Sequence, residues 1–207
     1  MNHTTSTTTP LTDTAAPAPG DPRYDFAVVT AAVGDLIAGV ASDQIQAPTP
    51  CPDFRVKELL EHLVLAMRRV AALGRGEEFY SVNEEPVDAG WHAQYQEAAH
   101  AVMEVWQDAT KLGDTFSVPW GDLPGAAILG AYTGELAVHG WDLARATDQP
   151  LVIADEVLEP ALAGAHESIP VEIRADEMVP FGAPVPVAAD APTLDRLVGW
   201  FGRDAAA

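Results

Sequence analysis

From Pro22 to about Gln46, apolar residues return every three or four positions at Phe26, Val29, Val33, Leu36, Ile37 and Val40, which is the spacing of one helical face. Pro48, Pro50 and Pro52 then forbid helix, and Asp53 stands where it can cap a second one running to about Leu73. Its inward stripe is Val56, Leu59, Leu60, Leu63, Met67 and Val70. Gly74 and Gly76 end this helix, and a loop follows to Gly90. A third helix is predicted over Gly90 to Lys111, with Trp91, Tyr95, Ala98, Val102, Trp106 and Ala109 facing inward. GDTFSVPWGDLP reads as a loop. The fourth and longest helix spans Leu123 to Gln149, with Pro124 at its first position and Gln149-Pro150 closing it. Four such helices joined by loops describe a bundle.

Beyond Pro150 the pattern weakens. A helix is predicted from Ala154 to Ser168, then an irregular Pro-rich stretch, then a last helix in TLDRLVGWFGRD with Leu194, Leu197, Val198 and Phe201 on one side. About 50 residues with so much loop are marginal alone, so this part is expected to pack on the bundle. The division is thus a tail at 1–20, a bundle at 21–150 and an appendage at 151–207. Residues 1–20, rich in Thr, Ala and Pro without apolar periodicity, are read as disordered and carry no secretory signal.

Charge narrows the function. The 207 residues include 31 acidic and 11 basic side chains, a net charge of −20 that opposes phosphate backbones and anionic membranes. Neither nucleic acid nor membrane is expected as a partner, and no apolar run reaches transmembrane length. A single cysteine, Cys51, excludes an internal disulfide, and the protein is read as cytoplasmic.

The chemistry gathers on the fourth helix. At about 100° per residue, Ile128, Leu129, Tyr132, Leu136, Leu143 and Ala146 share a stripe, and His139 falls near its middle with Glu135 one turn earlier. A carboxylate on an apolar face needs compensation. A divalent metal supplies it; so does an arginine, with His139 as a hydrogen-bonded core histidine, and spacing alone favours the arginine. His62 lies at the edge of the second helix's stripe, where a histidine is most often half-exposed. His92 and His100 read as structural or solvated. Asp142 either orients His139 or pairs with Arg145 at the surface. Tyr132 either packs in the core or offers its hydroxyl, Trp141 faces away toward the appendage, and Cys51 reads as a buried, inert thiol.

PTPCPDFRVKELLEHLV, PWGDLPGAAILGAYTGELAVHGWDLARAT and the closing LDRLVGWFGRD resemble the actinobacterial DinB-like metal-binding family related to mycothiol-dependent maleylpyruvate isomerase. The resemblance covers about Asp21 to Asp204. It implies an all-α, DinB-like four-helix bundle with a short C-terminal helical appendage, and a divalent metal held by His62, Glu135 and His139. Zn²⁺ is the metal expected, with Ni²⁺ or Fe²⁺ as alternatives and mycothiol as cosubstrate. The implied function is a mycothiol-dependent thiol transferase or isomerase in which the metal activates a thiol; the alternative is a non-catalytic metal- or small-ligand-binding member. A homodimer stays open. At Phe54-Arg55 relatives commonly carry Trp and a small or polar residue, a departure expected to affect the helix cap and no ligand.

Overall fold

A computed structural model describes residues 16–82, 89–175 and 181–206. The expectation for the tail therefore lies, over residues 1–15, outside the described residues.

The first helix, α1 (Pro22–Gly39), starts with Pro22 where its missing N–H is harmless, and Asp21 accepts from the Arg23 N–H at 2.9 Å. It stops seven residues before Gln46. The Gln149 side chain occupies the space a Cβ at Gly39 would need and donates to the Leu36 carbonyl at 3.1 Å, while Gln44 turns back to Thr147 O. A distant glutamine, unseen by periodicity, closes the helix.

The second, α2 (Val56–Gly74), buries every residue of its expected stripe. Its cap is Arg55 rather than Asp53: the Arg55 N–H donates to the Glu58 carboxylate at 3.1 Å, so the acid reaches back from within the first turn. The third, α3 (Trp91–Trp106), ends before Lys111. Trp106 turns inward and its indole N–H bonds Val70 O at 3.0 Å, after which Asp108 opens a short 3₁₀ turn, Ala109–Leu112, that leaves Ala109 exposed.

The segment read as loop is a hairpin. Strands β1 (Thr115–Val118) and β2 (Gly121–Pro124) pair antiparallel, Thr115 opposite Pro124 and Val118 opposite Gly121. Gly121 has φ 138°, which favours glycine at the end of the two-residue turn. Pro124 consequently ends a strand in extended geometry, and helix α4 runs from Gly125 to Thr147. Its stripe residues Ile128, Leu129, Tyr132, Leu136 and Leu143 are buried, with Ala146 at the margin.

In the bundle α1 packs on α3 and α4, and α2 packs on α3 and α4. Helix α5 (Asp155–Ser168) lies along α4, and α6 (Thr193–Trp200) contacts both. Thr193 N–H to Asp155 (2.9 Å), Arg196 to Glu159 (3.0 Å) and Trp200 Nε1 to Ala165 O (3.2 Å) fasten α6 to α5. The last helix is shorter than the apolar pattern suggested because Gly202, at φ 83°, turns the chain: Gly202 N–H bonds Gly199 O and Arg203 N–H bonds Val198 O, closing the end as a Schellman motif. The protein is thus an all-α, DinB-like bundle with a C-terminal helical appendage and one small hairpin.

Candidate metal centre

His62 on α2 and Glu135 on α4 meet across the bundle, His62 Nε2 lying 2.9 Å from Glu135 Oε1. His139, one turn further along α4, completes a group in which one potential ligand atom from each residue lies within 4.8 Å of the others. The side chains of His62, Glu135 and His139 keep 23%, 33% and 13% of their surface, so all three line a recess reached by solvent rather than the sealed core that the stripe suggested. Four-coordinate zinc with Zn–N and Zn–O near 2.0–2.1 Å spaces its ligand atoms by roughly 3.3 Å, so this set fits a divalent ion after small side-chain adjustment.

The two flanks of the recess are built differently. Asp142, fully buried, accepts from His139 at Nδ1 (3.0 Å). Arg203 holds the same carboxylate by two contacts, Nε to Oδ1 at 3.2 Å and a terminal nitrogen to Oδ2 at 2.8 Å. With both its oxygens already held by the Arg203 donors, the carboxylate faces Nδ1 as an acceptor, so the contact is an Nδ1–H···O hydrogen bond and His139 offers the Nε2 lone pair, the tautomer a metal needs. The surface Asp142–Arg145 pair does not form; Arg145 lies instead 5.7 Å above the buried Trp141 ring.

On the other flank Phe54 stacks on His62 (centroids 5.0 Å, 29°) and leans on His139 (5.9 Å). The departure at Phe54 thus does touch the proposed ligands, which overturns the sequence expectation. Thr49 fixes this loop, donating to Phe54 O at 2.7 Å and accepting from the Cys51 N–H at 3.1 Å. No periodic signal marks Phe54; only its place two residues before α2 brings it over the imidazole.

Electrostatics follow the geometry. Burial pushes the Glu135 carboxyl up, but the His62 hydrogen bond and the charges of His62, His139 and Arg69 together hold it below the usual range. Burial first, and then the Glu135 charge, push the buried Tyr132 phenol above its ordinary value, so it stays protonated. The Cys51 thiol is likewise raised, chiefly by burial, although the Asp53 N–H and the Arg203 charge oppose this. Cys51, His139 and Asp142 also lie within ligand distance of one another, but a protonated thiol beside a carboxylate already held by Arg203 makes support rather than a second ion site. His92 and His100 are exposed, as expected. A cleft of about 770 Å³ between the end of α2 and the hairpin is lined by Leu73 to Tyr80 and Asp114 to Pro119, and by none of the three proposed ligands.

Among the described residues no helix is long and apolar enough to cross a membrane. Two uncharacterized proteins of Mycobacterium tuberculosis, from strains CDC 1551 / Oshkosh and ATCC 25618 / H37Rv, are each 31% identical over 169 residues, covering 81% of this chain and 90% of theirs. No solved structure gives a significant match. The family model described as the mycothiol maleylpyruvate isomerase N-terminal domain matches residues 26–144, a span that contains His62, Glu135, His139 and Asp142. That match, over more than half of the chain, shows that this chain belongs to the mycothiol maleylpyruvate isomerase N-terminal domain family.

Proposed function

We propose that the protein binds a divalent metal, Zn²⁺ in the first instance, through His62, Glu135 and His139, and acts as a mycothiol-dependent thiol transferase or isomerase. The observation that carries this reading is the convergence of three ligand atoms within 4.8 Å in a recess still open to solvent. Two histidines and one carboxylate leave a coordination position free, whereas structural zinc usually closes its shell with a fourth ligand, often Cys; Cys51 joins no group with His62 or Glu135. When bound, the metal supplies the positive charge that holds a thiol in that position as thiolate.

The chain's own residues do the rest. Asp142 keeps the His139 proton on Nδ1, Glu135 brings a negative charge that partly neutralises the ion, and Phe54 covers one face of the His62 ring. Cys51, protonated and buried, takes no part as nucleophile. A reduced lone cysteine and a thiol cosubstrate suit the reducing cytoplasm.

The same Phe54 favours a second reading, in which the aromatic ring lids the site and the metal serves binding or stability without turnover. Two measurements separate these. Protein purified without added metal is analysed for metal content, then titrated with mycothiol by calorimetry before and after chelation. The enzyme reading expects near-stoichiometric metal and thiol binding that disappears with it. Metal without thiol binding, in both the parent and Phe54→Ala, supports the second reading; no metal uptake refutes both.

A further inference from the structure

We infer that Arg203 is a positioning residue for the metal centre, so that the C-terminal appendage, which lies beyond the span matched by the family model, completes the site built in the bundle. The inference rests on the metal reading of His62, Glu135 and His139. Asp142 is the link. Its carboxylate has no exposed surface and is shared between the His139 Nδ1 proton on one side and the Arg203 guanidinium on the other. Without a partner on its far side the carboxylate could rotate out of line with Nδ1, and His139 would lose the contact that sets its ring orientation. Arg203 prevents this by holding both Asp142 oxygens, Oδ1 at 3.2 Å and Oδ2 at 2.8 Å, in the plane of its guanidinium.

The fold spends three features on delivering that side chain. Gly202 adopts the left-handed conformation that ends α6 and reverses the chain, and its neighbouring Ala183 carbonyl lies 3.3 Å from where a Cβ would sit. The Arg203 N–H is anchored on Val198 O at 2.9 Å. One terminal nitrogen of Arg203 also donates to Phe201 O at 2.9 Å, which aims the remainder of the group at Asp142. Its side chain is only 12% exposed, so this is no surface ion pair.

The test uses the full chain. Zn²⁺ affinity is measured by competition with a chromophoric chelator for the parent, Arg203→Met, Arg203→Lys and Arg196→Met. Long-range proton–nitrogen NMR reports the tautomer of His139 in the metal-free protein. Loss of Arg203 should weaken Zn²⁺ binding by about 10- to 100-fold, as removal of a group supporting a ligand histidine does, with Lys restoring part of it. Arg196→Met removes an appendage ion pair of similar kind, to Glu159, and should stay within about threefold of the parent. The parent NMR spectrum should show His139 protonated on Nδ1, and Arg203→Met should give a mixture of the two tautomers because the Asp142 oxygens are no longer held in line with Nδ1. If Arg203→Met binds Zn²⁺ within twofold of the parent, the inference fails and the metal reading stands. Should that variant not fold, the parent spectrum still decides: an Nε2-protonated His139 overturns the positioning role. No Zn²⁺ uptake by the parent overturns both.

Discussion

The two flanks of one recess on α4 are held to different standards. The His139 flank is a chain of charge-assisted hydrogen bonds running from Nδ1 through the buried Asp142 to Arg203, 61 residues further along the chain. The Glu135 flank rests on a 2.9 Å contact with a partly exposed histidine, on the nearby charges of His139 and Arg69, and on an aromatic ring laid over that histidine. One flank is built in advance; the other can open. That asymmetry suits a site that must present a fixed ligand and also admit something, since preorganised groups hold geometry while partly solvated ones exchange partners at little cost.

The comparison breaks most severely at Asp142. Asp142→Ala leaves the Arg203 guanidinium, nearly buried, without its carboxylate, and the expected cost is about 3–5 kcal/mol in urea or thermal unfolding, far beyond that of His62→Ala at the same site. Equal losses in the two variants would mean the flanks do not differ. Next comes metal removal. Binding to the native state alone contributes about 4 kcal/mol at 1,000 times Kd, so chelation should lower Tm by several degrees and leave a folded bundle. A Glu135→Gln, His139→Gln double variant should be nearly indifferent to chelator, and a parent whose Tm does not move after confirmed metal loss would refute the centre. His62→Ala should also cut metal content sharply, while costing little stability when both proteins are compared metal-free, because its side chain is already partly solvated.

Acid sharpens the adjustable flank. In the metal-free protein the folded carboxyl of Glu135 sits below its ordinary 4.5, so it contributes stability that is present above that value and lost as pH falls through the lower folded one. Glu135→Gln should therefore flatten the acid limb of stability against pH; an unchanged limb would show that His62 does not stabilise the carboxylate. The smallest expected effect is at Cys51. Cys51→Ala, removing a buried protonated thiol, should cost about 1 kcal/mol and leave Zn²⁺ affinity unchanged. A large fall in affinity would make the thiol a ligand.

Much of this was legible beforehand, and the gaps have physical causes. The stripes on α2 and α4 are periodic, and periodicity is set by 3.6 residues per turn, so the helices and their buried faces followed directly. The pairing of Glu135 with His139 on one face is the same local geometry. Helix ends were less legible: α1 stops where Gln149 intrudes, α2 is capped through Glu58, and α3 stops where Trp106 reaches Val70. The hairpin before α4 hid because four-residue strands give too few alternations to stand out from a loop.

By itself, then, the sequence determined the helical bundle, the acidic surface and the E-x-x-x-H pair, since each depends on residue type and on spacing within a turn or two. His62 looked like a surface histidine until α2 docked on α4, and only the family resemblance marked it. The tertiary structure alone decided that Phe54 covers the imidazoles, that Asp142 is buried rather than paired with Arg145, and that Arg203 returns from the chain's far end to hold it. A spacing rule fixes which face a residue occupies; it carries no information about what arrives opposite that face, because that partner is chosen by how separate elements bury their apolar stripes together.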